Sequence, residues 1–205
     1  KADVISLTDM LHKQGHSVID IHGDLDQRER NESVIAFSNG SKRIMVATDV
    51  ASRGLDIKDI ELVINFDLPF DKEVYTHRIG RTGRADAKGT ALSLYGPREN
   101  EKCAYITSAS RTAQMKDLRV DPKFRMVSEY DTLCINGGKK TKLRAGDILG
   151  TLCKEIGIDP KMIGKINITD TKSYVALNHT VIDKVFKALK KTPIKKKKYI
   201  SWILG

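Results

Sequence analysis

Three arginines and a histidine stand within eight residues in the segment HRIGRTGR, residues 77–84, interrupted by two glycines. A guanidinium group is planar, always charged and able to bind phosphate oxygens through two parallel hydrogen bonds. Gly80 and Gly83 let the backbone approach a ligand closely. Such a segment can stabilise the charge on a transferred γ-phosphoryl group, an effect of roughly 10³–10⁵ in rate. The alternative is a surface cluster paired with nearby acids.

A second segment, ATDVASRGLDI at residues 47–57, places polar residues after a predicted strand. The strand ends at Thr48 and Asp49, and ligands of open α/β sheets bind at the carboxyl ends of strands. Thr48 and the local backbone N–H groups can hold a nucleic-acid phosphate, and Asp56 can accept a hydrogen bond from a ribose hydroxyl. An Asx-capped turn is the alternative interpretation.

A third segment, HGDLDQRER at residues 22–30, combines a glycine with the first turn of a predicted helix. Gly23 allows close backbone approach, while Gln27 and Arg30 lie about one helical turn apart and share a face. Arg30 could therefore hold an RNA phosphate. An ordinary N-terminal helical turn is the alternative.

These segments lie among short apolar strands that alternate with helices through about the first 110 residues. Runs such as RIMVATD, ELVINFD and GTALSLYG predict buried strands of a parallel sheet covered by helices on both faces. The chain opens inside a predicted helix with no strand before it, whereas a βαβ domain begins with a strand. We therefore expect the chain to be part of a longer protein, with its first domain truncated at the N-terminus.

The pattern changes after about residue 110. A weakly periodic stretch predicts a linker, and the segments that follow predict a β-α-β-β-α-β order, the ferredoxin-like arrangement of RNA-recognition domains. The predicted fold class is therefore α/β: a parallel-sheet domain followed by a small ferredoxin-like, RRM-like domain. We place the domains at residues 1–115 and 126–205, with a linker at 116–125.

Charge separates the two halves of the 205-residue chain. Residues 1–115 hold 16 Lys and Arg against 17 Asp and Glu, whereas residues 116–205 hold 20 against 9. The second half therefore faces a polyanion or carries a Lys-rich solvated surface. Three scattered cysteines and five scattered histidines match no zinc or disulfide pattern. With no membrane-spanning run and no secretory signal, we expect a cytoplasmic protein without a membrane partner.

The three segments of the first half, in this order and spacing, resemble the second RecA-like domain of a DEAD-box RNA helicase over residues 1 to about 115. The resemblance implies that Arg81 and Arg84 are arginine fingers on the γ-phosphate of ATP and that Asp56 contacts its ribose. It also implies that His77 and Arg78 couple the two helicase domains. Contacts to the RNA backbone would come from Gly23, Arg30, Thr48 and Asp49.

Two parts of such an enzyme have no counterpart in the sequence. No GxxxxGK[ST] occurs, and GGKKT at 137–141 has Lys139 where a glycine must precede the lysine. No Asp-Glu-Ala-Asp run is present to hold Mg²⁺. The resemblance assigns these parts to the first RecA-like domain, so ATP, its Mg²⁺ and most phosphate ligands would be held by a domain outside this chain.

The second half resembles the C-terminal RNA-binding domain of the DbpA (YxiN-like) helicases through KKTKLRAGDILG at 139–150, IGKI at 163–166 and SYVAL at 173–177. The resemblance implies binding of a hairpin in large-subunit ribosomal RNA and work on a pre-ribosomal particle. Base-stacking aromatics are sparse on the predicted strands, because Cys134 stands at the first-strand position and only Tyr174 lies on the third. We therefore predict the RNA site on the basic loop and helix start, at Lys139, Lys140, Lys142 and Arg144, with secondary contacts from Lys165, Lys172 and Tyr174.

Together these features predict an ATP-dependent RNA helicase that acts in ribosome assembly, and a chain that is inactive as an ATPase by itself. Two alternatives stay open. The first is a non-catalytic RNA-binding adaptor in which the helicase half is only a scaffold. The second is a DNA translocase of the same superfamily, which would bind DNA and RNA equally.

Overall fold

The computed structural model divides the chain into two compact units. The first contains residues 1–52 together with 125–205, and the second contains residues 53–124. Within these units, the structure describes residues 2–52, 57, 60–83, 89–99, 106 and 111–204. No helix in these described ranges is long and apolar enough to cross a membrane.

The N-terminal part of the first unit alternates helices with parallel strands. Its elements are α1 (Ala2–Lys13), β1 (Val18–Ile21), α2 (Gln27–Ser38), β2 (Ile44–Ala47) and α3 (Asp49–Ser52). Strands β1 and β2 pair in parallel, with Val18 opposite Ile44 and Ile21 opposite Ala47. Because parallel neighbours need a crossover connection, α2 links them and buries Ala36. This is the predicted alternation of short strands and helices.

The bounds of α2 follow from its flanking residues. The Asp26 side chain accepts the N–H of Glu29 at 2.7 Å, and the Glu29 carboxylate accepts the N–H of Asp26 at 2.9 Å. This reciprocal capping box satisfies two backbone donors at the helix start. The helix ends at Ser38 with Asn39 as its C-cap, and Gly40 adopts a φ of +82° that turns the chain toward β2.

The C-terminal part of the first unit has the predicted β-α-β-β-α-β order. Its elements are β5 (Tyr130–Ile135), α5 (Ala145–Gly150), β6 (Ile163–Ile168), β7 (Ser173–Asn178), α6 (Ile182–Leu189) and β8 (Ser201–Ile203). A π-helical turn, Thr151–Glu155, continues α5. The four strands form an antiparallel sheet in the order β6-β7-β5-β8, so the two strands that precede the helices in the chain, β5 and β7, occupy its centre.

One face of this sheet carries the hydrophobic core. Leu133 and Ile135 of β5 point to the same side because side chains alternate along a strand. They pack with residues of β7 and of both helices, and the fully buried members of this cluster include Leu133, Ile135, Ile148, Leu152, Val175, Leu177 and Val185. The residues that alternate with them along β5, Thr132 and Cys134, point to the opposite face and are nevertheless buried.

The described residues of the second unit form another parallel pair and one α-helix. Its elements are β3 (Leu62–Asn65), α4 (Lys72–Ile79) and β4 (Thr90–Ser93). Leu62 lies opposite Thr90, and Asn65 lies opposite Ser93. Helix α4 begins after Asp71, whose side chain accepts the N–H of Glu73 at 2.7 Å, and ends before Gly80.

Close backbone packing fixes the loop that follows β5. A Cβ on Gly138 would collide with the carbonyl oxygen of Thr169 and lie 2.9 Å from the carbonyl group of Asp170. The neighbouring N–H of Lys139 donates to the Thr169 carbonyl at 2.9 Å, and that of Lys140 donates to the Asp170 carbonyl at 2.9 Å. The loop is therefore held against the β6–β7 turn by contacts that leave no space for a side chain.

We expect Gly138→Ala to lower the free energy of unfolding of the first unit by about 1–3 kcal/mol, because the new methyl group forces two backbone segments apart. Gly146→Ala is the matched control, since no described heavy atom lies within 4 Å of a Cβ at that helical position. Guanidinium denaturation followed by the fluorescence of Trp202, the single tryptophan, measures both. Equal midpoints for the two variants would contradict the packing argument.

Candidate nucleic-acid interface

The end of α4 carries the predicted coupling residues, and Arg78 is tied to β3. Its Nη1 donates to Asn65 Oδ1 at 3.2 Å and to the carbonyl of Asp67 at 2.7 Å. Asn65 is buried and donates in turn to Ser93 of β4 at 3.1 Å. The guanidinium thus contacts the carboxyl end of β3 directly and that of β4 through Asn65, whereas His77 of the same helical turn is exposed. Their role in coupling two helicase domains stays a prediction.

Arg81 follows α4 in a tight turn and is half-buried. Its carbonyl accepts the N–H of Ile60 at 3.2 Å, and the hydroxyl of Thr82 donates to the carbonyl of Ile60. Gly83 continues the turn with a φ of +67°. The turn therefore holds Arg81 beside the segment that enters β3. The second predicted arginine finger, Arg84, and the predicted ribose contact, Asp56, lie outside the described residues.

Two predicted RNA-contact residues, Gly23 and Thr48, lie at the same edge of the β1–β2 pair. Each follows the carboxyl end of its strand, and the N–H of Thr48 donates to the carbonyl of Ile21 at 3.1 Å. No described heavy atom lies within 4 Å of a Cβ placed on Gly23, so its backbone is accessible. This edge is where open α/β sheets bind ligands.

The other two predicted contacts of this half belong to helices. Asp49 is the first residue of α3, next to Thr48, whose hydroxyl oxygen accepts the N–H of Ala51 at 3.4 Å. Arg30 lies in the first turn of α2, where its Nε is buried and has no hydrogen-bond partner among the residues the structure describes. The cap at Thr48 is made by a threonine hydroxyl and not by an Asp or Asn side chain, so the Asx-capped turn and the phosphate contact both stay predictions.

The basic loop of the C-terminal part presents all four of its predicted RNA contacts to solvent. Lys139 and Lys140 lie on a single 3₁₀ turn, Lys142 adopts a left-handed φ of +56°, and Arg144 precedes α5. The backbone N–H of Arg144 donates to Asp147 Oδ2 at 2.9 Å, which fixes the start of that helix. Lys165 is exposed on β6, one of the two edge strands of the sheet.

Lys172 and Tyr174 meet the carboxylate of Glu32, which lies on α2. Its Oε1 accepts hydrogen bonds from Lys172 Nζ at 2.8 Å, from Tyr174 Oη at 3.3 Å and from Arg28 Nε at 3.2 Å. The Glu32 side chain is only 11% exposed. Lys172 Nζ also lies 5.2 Å from the centroid of the Trp202 ring. Both residues are therefore engaged inside the unit, and their assignment to RNA stays a prediction.

The electrostatics of this cluster follow from its burial. Desolvation opposes ionisation of Glu32, but hydrogen bonds from Lys172 and Arg28 outweigh it and lower the pKa of the carboxyl group. Burial and the nearby carboxylate raise the pKa of Tyr174, so its phenol stays protonated and donates. The same causes, burial first, raise the pKa of the Cys134 thiol to about 12. Cys134 is therefore an unreactive thiol.

A second group of polar contacts also joins α2 and the turn after it to the sheet of the C-terminal part. We call this region of contact, with the Glu32 cluster, the junction. Asn39 Nδ2 donates to Thr132 Oγ1 at 3.0 Å, and Thr132 Oγ1 donates to Ser41 Oγ at 2.8 Å. Ser128 Oγ donates to the carbonyl of Gly40. The sheet face opposite the core, including Thr132, Cys134 and Tyr174, is thus covered by α2 and the turn after it.

This covered face is the part of the site that the sequence did not reveal. Arg28 and Glu32 are spaced four residues apart on a polar helix, which is the pattern of a solvated ion pair. Cys134 at a usual stacking position moved the predicted RNA site from this face to the basic loop, but nothing in the sequence indicated what lies against the face. Among the described residues, no group of His, Cys, Asp and Glu is arranged to hold a metal ion.

We expect Glu32→Gln to destabilise the first unit by about 1–3 kcal/mol at pH 7, because Lys172 and the buried Tyr174 hydroxyl lose a charged acceptor. A carboxyl group with a lowered pKa contributes stability above its unfolded pKa, which is lost as pH falls through the folded value. The difference between wild type and variant should therefore shrink below about pH 4.5. Denaturation midpoints at pH 7 and pH 4 measure it.

The control for this experiment is Glu129→Gln, which removes an exposed carboxylate from the same unit. Its unfolding midpoint should match that of wild type within about 0.5 kcal/mol at both pH values. A Glu32→Gln effect that is the same at pH 7 and pH 4 would show that the charge of Glu32 does not stabilise the junction.

Known proteins match both halves of the chain. A profile of the helicase conserved C-terminal domain matches residues 1–86, and one of the DbpA RNA binding domain matches residues 132–201. The ATP-dependent RNA helicase DbpA of Escherichia coli K12 is 45% identical over 96% of this chain, and that of Bacillus subtilis 168 is 39% identical over 96%. The chain spans 44% and 46% of these relatives, so it corresponds to about half their length.

A solved structure agrees with these matches. The E. coli DEAD-box protein SrmB, determined bound to regulator of ribonuclease activity A, is 36% identical with a TM-score of 0.52, over 62% of this chain and 76% of that chain. This similarity confirms the predicted RecA-like fold of the first half, and the antiparallel sheet confirms the small β-α domain that follows it. The chain belongs to the DEAD-box RNA helicase family and is DbpA-like, joining sequence of the helicase C-terminal domain to a DbpA-type RNA-binding domain.

Proposed function

We propose that this chain supplies part of the ATP site and the RNA-binding domain of an ATP-dependent RNA helicase. The helicase would act in the cytoplasm on large-subunit ribosomal RNA in ribosome assembly. One observation carries the proposal. The sheet face of the RRM-like domain is covered by α2, whereas Lys139, Lys140, Lys142 and Arg144 are exposed on a loop with a fixed backbone. A cationic surface of this kind attracts the RNA backbone and releases counterions on binding.

The helicase half also has residues suited to binding a strand of RNA. Gly23 and Thr48 are adjacent at the carboxyl edge of β1 and β2, where accessible backbone groups can contact phosphates. Asp49 and Arg30 would complete these contacts. With the domain bounds predicted from the sequence, residues 1–115 would contact the RNA strand and residues 126–205 would bind the hairpin.

ATP would be shared with a partner domain. The guanidinium groups of Arg81 and Arg84 fit a γ-phosphate, and Asp56 fits a ribose hydroxyl, while His77 and Arg78 would couple the domains. The phosphate-binding loop and the Mg²⁺ ligands would come from an N-terminal RecA-like domain. The pre-ribosomal particle would supply the RNA, whose ribosomal hairpin binds the basic loop.

For ATP hydrolysis, we expect the 205-residue chain alone to release no phosphate above background, because its sequence holds no phosphate-binding loop. Joined to the N-terminal RecA-like domain of a DEAD-box relative, it should hydrolyse ATP with stimulation by RNA. Arg81→Ala should then lower kcat by roughly 10³-fold or more, whereas Lys191→Ala, at an exposed lysine, should not change it.

Two outcomes would contradict this proposal. Turnover by the purified chain alone would mean that it holds a complete ATP site. A joined protein that binds RNA without hydrolysing ATP would favour the non-catalytic RNA-binding adaptor.

For RNA binding, we expect fluorescence anisotropy of the whole chain to show a large preference for the large-subunit ribosomal hairpin over a hairpin with a scrambled loop. The preference should persist from 50 to 200 mM salt. Salt weakens the phosphate contacts of both RNAs equally, whereas contacts to the bases of the native RNA loop are made by one RNA only. Lys140→Ala should weaken both complexes and lower the salt slope by about one. Equal affinities that collapse with salt would mean a nonspecific polybasic surface, and equal binding of DNA would favour a translocase.

A further inference from the structure

A two-residue hairpin turn in the C-terminal part contains two lysines in an unfavourable backbone conformation. Ile194 and Lys197 exchange both backbone hydrogen bonds, at 2.9 and 3.0 Å, so Lys195 and Lys196 form the turn between them. Their φ angles are +52° and +63°. Such turns favour Asn-Gly because residues with a Cβ are disfavoured in this region. Backbone conformations of this kind persist where the surrounding structure holds them.

The Lys195 side chain joins this turn to the basic loop. Its Nζ donates to the carbonyl oxygen of Lys142 at 3.3 Å and lies 3.5 Å from Asp147 Oδ2. Lys142 is itself left-handed, with a φ of +56°. Two lysines in disfavoured conformations are therefore linked directly, through the side chain of one and the backbone of the other.

The same carboxylate organises the start of α5. Asp147 Oδ2 accepts the backbone N–H of Arg144 at 2.9 Å and is also the partner of Lys195. The carboxylate thus connects the hairpin turn to Arg144, while Lys195 itself contacts the Lys142 carbonyl. At 52% side-chain exposure, the Lys195–Asp147 ion pair contributes little to stability by itself, so its effect is on loop geometry.

The hairpin has its own anchors in the fold. Ile194 is 2% exposed and belongs to the hydrophobic core. Tyr199, just beyond the hairpin, packs so closely on Gly137 that a Cβ there would collide with its ring. The turn is therefore a fixed support from which Lys195 can hold the neighbouring loop.

We propose that Lys195 is a positioning residue that holds the Lys142–Arg144 segment in its RNA-binding conformation without contacting RNA phosphates itself. The inference rests on the proposed RNA function of the basic loop. Its physical basis is preorganisation: a loop that is already ordered loses less conformational entropy on binding. The ammonium group of Lys195 is engaged by a carbonyl and a carboxylate, whereas the side chains of Lys139 and Lys140 extend from an exposed turn.

The test compares Lys195→Met with Lys191→Met in the full chain, because both remove one lysine charge and Lys191 lies on an exposed position after α6. The probe is the large-subunit ribosomal hairpin, titrated by anisotropy at several salt concentrations. Lys195→Met should weaken binding by about three- to tenfold, the effect of releasing one or two ordered side chains. The slope of log affinity against log salt should equal that of wild type, because no phosphate contact is lost.

A structural measurement accompanies the titration. Hydrogen exchange of the Lys142 and Arg144 amides in the free protein should become faster in Lys195→Met and stay unchanged in Lys191→Met. Lys195→Arg, which keeps the charge and the donors, should restore both the exchange rates and the affinity.

Each contrary result has a defined meaning. A salt slope lower by about one, with unchanged amide exchange, would make Lys195 a phosphate contact and overturn the proposal. Affinity and exchange equal to wild type would overturn it as well. If the wild-type chain shows no preference for the hairpin, the proposed function fails, and the exchange rates still decide whether Lys195 holds the loop.

Discussion

The buried carboxylate of Glu32 is the interaction on which the arrangement of the first unit depends. A charge with little exposure is tolerated only when several donors satisfy it, and here the donors are Arg28 of α2, Lys172 of the turn before β7 and Tyr174 of β7. Because Lys172 and Tyr174 must reach the same oxygen, the sheet of the RRM-like domain can lie against α2 in few ways. The neutral network from Asn39 through Thr132 to Ser41 fixes the same face at a second point.

This junction decides which surface of the RNA-binding domain is free. An RRM-like sheet normally offers its face to bases, but here that face holds a buried threonine, a buried cysteine and a tyrosine bonded to Glu32. The four cations predicted to contact RNA, Lys139, Lys140, Lys142 and Arg144, are exposed instead on the loop before α5. That loop is ordered by glycines that allow close packing and by Lys195, so its cations stand on a defined backbone.

In the helicase half, too, the backbone pairing of the strands places the polar residues that are predicted to bind ligands. Parallel pairing places the ends of β1 and β2 side by side, which brings Gly23 and Thr48 to the same edge although they are 25 positions apart in the sequence. In the second unit, Arg78 binds groups at the end of β3 and so positions the turn that carries Arg81. In both units, polar residues lie at or just after the carboxyl ends of paired parallel strands.

The sequence by itself determined the family, the alternation of elements and the concentration of charge in the second half, because motifs, periodicity and composition are local properties. Through Cys134 and the few aromatic residues on the strands, it also predicted that the RNA site lies on the basic loop and not on the sheet face. Only the tertiary structure decided that α2 covers the sheet, that Tyr174 and Lys172 bond to Glu32, and that Lys195 holds the basic loop. These contacts join residues 140, 142 and 53 positions apart, and local patterns carry no information about pairing at such separations.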